Sequence, residues 1–373
     1  MEITCFLAAK AVINKRKEIE KMKKLLALLL ALMMVLSLAA CAKDEAPADE
    51  PADAPADAPA DAPADDAADA PADDAEGYKV GLCLPDLDQF WSTFDTYATK
   101  AAEENGIHVQ TVQCKEDIST QLGQIETFAN NGFDAVIVGL SNNDSYNEAL
   151  SSAGDMKVVF FNRMVTDPSI LDGEKCMYIG MSEYDAGLAQ GNWLSEYFKA
   201  EGKTDLKGIM FMGVLGQDAV TNRTAGAKDA LEANGFNVEW VFEDTAEWDR
   251  AKAMDKFTQF AGTGAEFDFV VANNDEMALG VVEACTATGR EIDFPIVGID
   301  ATETGCMAIK EGTMQMTVNQ NAPLQGAEAI NSVIALLNGE LPEGCDPETF
   351  IFNTDAQAIT IDNADEVLAI FGH

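Results

Sequence analysis

The stretch Val158–Arg163, VVFFNR, runs through four apolar residues without a break and ends in an amide and a guanidinium. A strand wet on one side alternates apolar and polar residues, whereas one covered on both sides is apolar throughout. VVFF therefore reads as a strand inside a parallel sheet, and Asn162-Arg163 as what that strand presents beyond its carboxyl end. Ligands of open parallel sheets bind at that end.

Working outward, similar runs recur along the chain. YKVGLCLP (78–85), HVQTVQC (108–114), AVIVGL (135–140), KVVFFN (157–162) and MYIGM (177–181) make one set. KGIMFMG (207–213), FNVEWVFE (236–243), FDFVVAN (267–273), PIVGID (295–300) and MQMTVNQ (314–320) make a second. Amphipathic segments such as FWSTFDTYATKAAEEN and DEMALGVVEACTATG separate them, which predicts an α/β fold. Ten strands are too many for one modest doubly wound sheet. Two similar doubly wound parallel-sheet lobes fit better, with the change of lobe near Met181-Ser182.

The residues at the strand ends form a consistent set. The first strand leads into Asp88 and Phe90, the fourth into Asn162 and Arg163, and later ones into Asn274, Asp300 and Gln320. Arg223 and Trp248 lie in or near the loops between. Asp275, before EMALG, reads as a helix cap. The remainder is better matched to a sugar. Hydroxyls that both donate and accept suit amides, carboxylates and guanidinium groups, while the C–H faces of a pyranose pack on aromatic rings.

The N-terminal fifth of the chain is organised differently. From Met22, MKKLLALLLALMMVLSLAAC has the basic start, apolar run and small residues of an export signal. Residues 1–40 are therefore read as a signal peptide, with Met22 a candidate true start. Cys41 sits where a lipobox places the lipidated cysteine. Residues 41–77 continue as a Pro/Ala/Asp repeat with no aromatic residue, a composition that stays extended and spans at most about 110 Å at polyproline II spacing. The expected location is the outer face of the cell membrane, held by the lipid anchor only. A formal charge of −40 argues against nucleic acid as a partner. Cys83, Cys114, Cys176, Cys285, Cys306 and Cys345 show no metal-ligand spacing, and no pairing is expected.

VVFFNR, DTAEWD (244–249), VVANNDEMALGVVEA (270–284) and PIVGID together resemble the bacterial periplasmic sugar-binding proteins of type I, the ribose/galactose-binding family, and the galactose/glucose binders most. The likeness runs over essentially all of 78–373. It implies an N-terminal lobe of 78–181 with 321–353, a C-terminal lobe of 182–320 with 354–373, and a three-segment hinge that closes over the sugar. It implies ligand contacts from Asp88, Asn162, Arg163, Arg223, Asn274, Asp300 and Gln320, with Phe90 and Trp248 stacking on opposite sugar faces. Gln217-Asp218-Ala219 stands where the galactose/glucose binders have His-Pro-Asp, so Asp218 matches a contact only after a shift of one residue. Their calcium loop is replaced by EGKTDLKGIMF, and no calcium or other cofactor is expected. The implied partner is an ABC transporter permease, with a chemoreceptor or sensor kinase as a further candidate, and the protein is expected to be a monomer.

Rival readings are a glycosidase, a repressor and a binder of a different ligand. A glycosidase needs two carboxylates about 5–10 Å apart, here Asp88 and Asp300, but nothing marks either as the acid. With two histidines in the chain, nucleophile–His machinery is disfavoured. A repressor would carry a helix-turn-helix rather than an export signal. A pentose, nucleoside or signal furanose would keep the fold and alter only the residues at 162–163, 217–223 and 320.

Overall fold

The computed structural model describes residues 77–373. The stretches read as an export signal and a tether, with Cys41 between them, lie in residues 1–76, outside the described residues. The apolar runs fold as two sheets. In the first, β11 (Ile351–Thr354), β5 (Cys176–Met181), β4 (Lys157–Phe161), β3 (Ala135–Val138), β1 (Lys79–Leu84) and β2 (His108–Gln113) lie side by side in that order, all parallel. The VVFF stretch shows why its strand has no polar alternation. Val159 and Phe161 pack toward α1 (Gln89–Glu104) and α9 (Ala322–Asn338). Val158 and Phe160 pack on the other face toward α2 (Ile118–Asn130) and α3 (Tyr146–Ala153).

The second sheet has the order β7 (Asn237–Thr245), β6 (Asp205–Met212), β8 (Phe269–Ala272), β9 (Ile296–Val297). Parallel bridges at Val297–Met316 and Asp300–Asn319 extend it to β10 (Thr317–Asn319), which pairs antiparallel with β12 (Gln357–Ile359). One face packs α6 (Arg250–Gly262), α7 (Asp275–Thr288), α8 (Glu303–Glu311) and α10 (Ala364–Ile370). The other packs α4 (Glu183–Glu201) and α5 (Asp218–Ala233). Those two helices run close together because glycines face each other's backbone. A Cβ on Gly187 would lie 2.2 Å from Arg223 O, and one on Gly226 2.3 Å from Tyr184 O.

The chain passes between the sheets after β5, after β10 and between β11 and β12. These passages are tied together. The Thr354 hydroxyl donates to Gly180 O (3.2 Å) and accepts from Gln325 Nε2 (3.3 Å), while Gln325 Nε2 also donates to Gln320 O (2.7 Å). Thr354 and Gln325 are both buried, so water does not compete for these bonds. The sequence reading did not include β11 and β12, which are too short to show periodicity. All six cysteines among the described residues are free, and five of them are buried.

Candidate functional site

The carboxyl ends of both sheets face one cleft. Nine of the ten residues singled out from the sequence line it: Asp88, Phe90, Asn162, Arg163, Arg223, Trp248, Asn274, Asp300 and Gln320. Asp218 does not. It is exposed in the first turn of α5, where it accepts from Asn222 Nδ2 (2.7 Å), and its neighbours Gln217 and Ala219 line the cleft instead.

Each side of the cleft is built from a strand end. Asn162 follows β4 in a left-handed conformation, φ 59°, and its carbonyl accepts from the Tyr178 hydroxyl (2.7 Å). Its Nδ2 donates to Gln320 Oε1 (3.1 Å), and Gln320 Nε2 donates to Asp300 Oδ1 (2.5 Å). The relay therefore runs from the first sheet, through a residue in a crossing segment, to the second. Trp248 (φ 65°) and Asp300 (φ 128°) are also left-handed. Such backbone costs about 1–3 kcal/mol per residue and gathers at functional sites.

Arg163 is held on three sides. Its guanidinium forms a two-pronged pair with Glu116 (both 2.7 Å) and donates to Leu140 O (2.9 Å) and Ser141 O (3.3 Å). It also lies 5.5 Å from the Trp91 ring. Arg223 is the counterpart on the second sheet. It donates through Nε to Glu183 (2.5 Å) and through one terminal nitrogen to Asn273 O (2.7 Å), the same nitrogen lying 3.8 Å from Asp300 Oδ1. The close approach of α4 and α5 is what brings Glu183 to it. Both cationic heads are therefore charge-compensated inside the protein, which makes the cleft a poor site for phosphates or other anions.

Asp88 caps α1, accepting from Trp91 N (3.0 Å) through one oxygen and leaving the other free. Burial pushes its carboxyl up to about 6, with Asp86 and Glu276 adding to the shift and the Trp91 amide opposing it. Burial also raises Asp300 well above the usual carboxylate range, although Arg223 opposes this. Asn274 caps α7, accepting from Met277 N (3.0 Å), and its Nδ2 reaches Trp248 O (3.3 Å). Trp248 lies against Gly213, where a Cβ would meet the ring at 2.1 Å, and its indole N–H donates to Gln217 Oε1 (2.8 Å). Above the cleft, Thr304 Oγ1 donates to Gln89 Oε1 (2.6 Å) and Tyr97 Oη to Ile370 O (2.8 Å), joining the two lobes.

Sequence reasoning assigns no role to Asp86, Trp91 or Glu116, although the first two fall in the strand-end stretch 85–91, and treats Gln217 and Ala219 only as a departure. Glu116 follows the second strand, so the strand-end rule would have found it had it been applied to β2. Asp275, read as a cap, is not one: Asn274 caps the helix, and the Asp275 carboxylate turns into the protein. Where EGKTDLKGIMF replaces a calcium loop, Lys203 bridges Glu201 and Asp268 (3.3 Å each).

Two α/β lobes present polar strand ends to one cleft, which is where open parallel sheets bind small molecules. The profile of the periplasmic binding protein domain matches residues 80–341, and the chain belongs to that family. Among its relatives, a putative rhizopine-binding protein of Rhizobium meliloti is 32% identical over 64% of this chain and 77% of its own length. A D-galactose/methyl-galactoside binding periplasmic protein of Haemophilus influenzae is 27% identical over 68% and 79%. Among solved structures, an ABC transporter solute binding protein from Bacillus halodurans with bound myo-inositol superposes with a TM-score of 0.71. It is 27% identical and covers 80% of this chain and 99% of that one. The relatives are solute-binding proteins rather than enzymes. Among the described residues, no helix is long and apolar enough to cross a membrane.

Proposed function

We propose that the protein captures a monosaccharide, a hexose such as glucose or galactose, and delivers it to an ABC transporter permease. The mechanism is closure of the two lobes about the three crossing segments. Lipidation of Cys41 and the tether after it would hold the folded part on the outer face of the membrane. The observation that carries the reading is the chemistry of the cleft. Asp88, Asp300 and Asn162 offer acceptors, Arg223 and Gln217 offer donors, and Phe90 and Trp248 offer apolar faces, all in one cleft. That balance suits a neutral ring bearing several hydroxyls and disfavours an anion. Ligand binding drives closure only as far as the closed form makes contacts that the open form lacks.

A cyclic polyol of hexose size is the second reading. It is favoured by the placement of Ala219 in the cleft and Asp218 outside it, which removes one contact implied for a galactose/glucose binder. Myo-inositol is the molecule bound in the Bacillus halodurans relative. The test is calorimetric titration of the purified protein, unfolded and refolded to strip carried-over ligand, with glucose, galactose, ribose, xylose, arabinose and myo-inositol. Tight binding of one hexose supports the first reading and binding of myo-inositol alone the second. No heat with any of them would overturn both. Calcium is expected to leave the melting midpoint unchanged.

A further inference from the structure

Asp275 is fully buried, and among the described residues no cation pairs with it. Burial raises its carboxyl above the ordinary range. A buried carboxylate with no counter-ion is costly unless several donors hold it. Four bonds do so or flank it. Oδ2 accepts from Thr302 N (2.8 Å) and Thr302 Oγ1 (3.0 Å), and Oδ1 accepts from Thr317 Oγ1 (2.6 Å). The Thr317 oxygen in turn accepts from Ala301 N (3.2 Å). Gly298 and Gly305 make room for the group, since a Cβ on either would lie 2.3 Å from one of its oxygens.

These bonds converge on one place. Asp300 (φ 128°) and Ala301 (φ 50°) form a strained pair immediately before Thr302. The carboxylate grips the Thr302 amide directly and the Ala301 amide through Thr317, so both peptides after Asp300 are fixed. The helix itself does not need Asp275, because Asn274 already caps it.

We propose that Asp275 is a positioning residue of the ligand site: its carboxylate, gripping Thr302 and Thr317, holds the strained Asp300–Ala301 turn so that the Asp300 side chain faces the cleft. This rests on the cleft being the ligand site. Asp275 itself does not line the cleft, and it acts through Asp300.

A double-mutant cycle tests it. D275N, T317V, D300N and the pairs with D300N are titrated with galactose and myo-inositol, and amide hydrogen exchange is followed in the ligand-free proteins. D275N and T317V are each expected to weaken binding tenfold or more, while D275N/D300N binds within about twofold of D300N alone, as groups acting through one another do. Exchange at Ala301 and Thr302 should quicken in both single variants while the amides of β6 stay protected. Additive losses, or unchanged exchange at Ala301, would overturn the assignment. Should D275N fail to fold, T317V, which keeps the side-chain shape, carries the cycle. If neither probe binds the wild type, the failure belongs to the functional reading, and Ala301 exchange alone decides the role of Asp275.

Discussion

Replacing Glu116 with Gln tests whether the cleft is built to keep its cations silent. Arg163 is 7% exposed and Glu116 34%, and the pair shares two bonds of 2.7 Å. Removing one partner of a wholly buried pair costs about 3–5 kcal/mol. Here the carboxylate is partly wet, Arg163 keeps the Leu140 and Ser141 carbonyls, and Gln keeps one oxygen. The expected cost is thus about 2 kcal/mol. For a folded part of this size that lowers the melting midpoint by about 4 °C. The second effect is on selectivity. An uncompensated guanidinium in the cleft wall attracts anions, so galacturonate should gain roughly tenfold relative to galactose. Thermal melting of the ligand-free protein reads the first effect, and competition calorimetry the second. An unchanged midpoint together with an unchanged galacturonate-to-galactose ratio would refute the compensation argument.

Trp248→Ala removes an apolar ring face and should weaken sugar binding by about 2 kcal/mol, roughly thirtyfold, in the same titration. Gly213→Ala should do similar damage indirectly, because the ring cannot stay where it is over a methyl group; a variant that binds normally would contradict the packing. Thr354→Val deletes the hydroxyl that links the crossing segments, and the ligand-free melting midpoint should fall by a few degrees for a loss of about 1–2 kcal/mol. For pH, the sign follows from Asp88, whose folded pKa of about 6 lies above its ordinary value. In the free protein this group favours folding at low pH, and that contribution is lost as pH rises toward 6. Sugar hydroxyls donate to the ionised form, so affinity should rise by about tenfold from pH 5 to pH 7.5, and Asp88→Asn should flatten that rise.

Much of the fold is legible because a strand buried on both faces leaves a continuous apolar signature, as VVFF does. The short β11 and β12 leave none; their pairing depends on neighbours contributed by distant parts of the chain. The site is legible where a polar residue follows such a strand within three positions, as Asn162, Asn274 and Asp300 do. It is not legible where the decision is rotational. Asp218 and Ala219 differ by one step around a helix, and only the seating of α5 against α4 determines which of them meets the cleft. Glu183 was hidden for another reason, whereas Glu116 was open to the strand-end rule. Glu183 matters through Arg223, 40 residues away in sequence. Asp275 sits where a cap is expected, and only its burial distinguishes it from the neighbour that does the capping.

The aromatic lining of the cleft has an optical consequence. Of the four tryptophans in the chain, Trp91 and Trp248 face the cleft, whereas Trp193 and Trp240 pack against the core beside β6. The Trp248 indole is tethered by its N–H to Gln217, and Trp91 lies under a guanidinium. Occupancy should change the polarity around both rings at once and leave the other two as an internal reference. The protein thus carries its own fluorescent reporter, and a Trp193→Phe/Trp240→Phe variant would convert it into a label-free sensor whose emission follows the ligand.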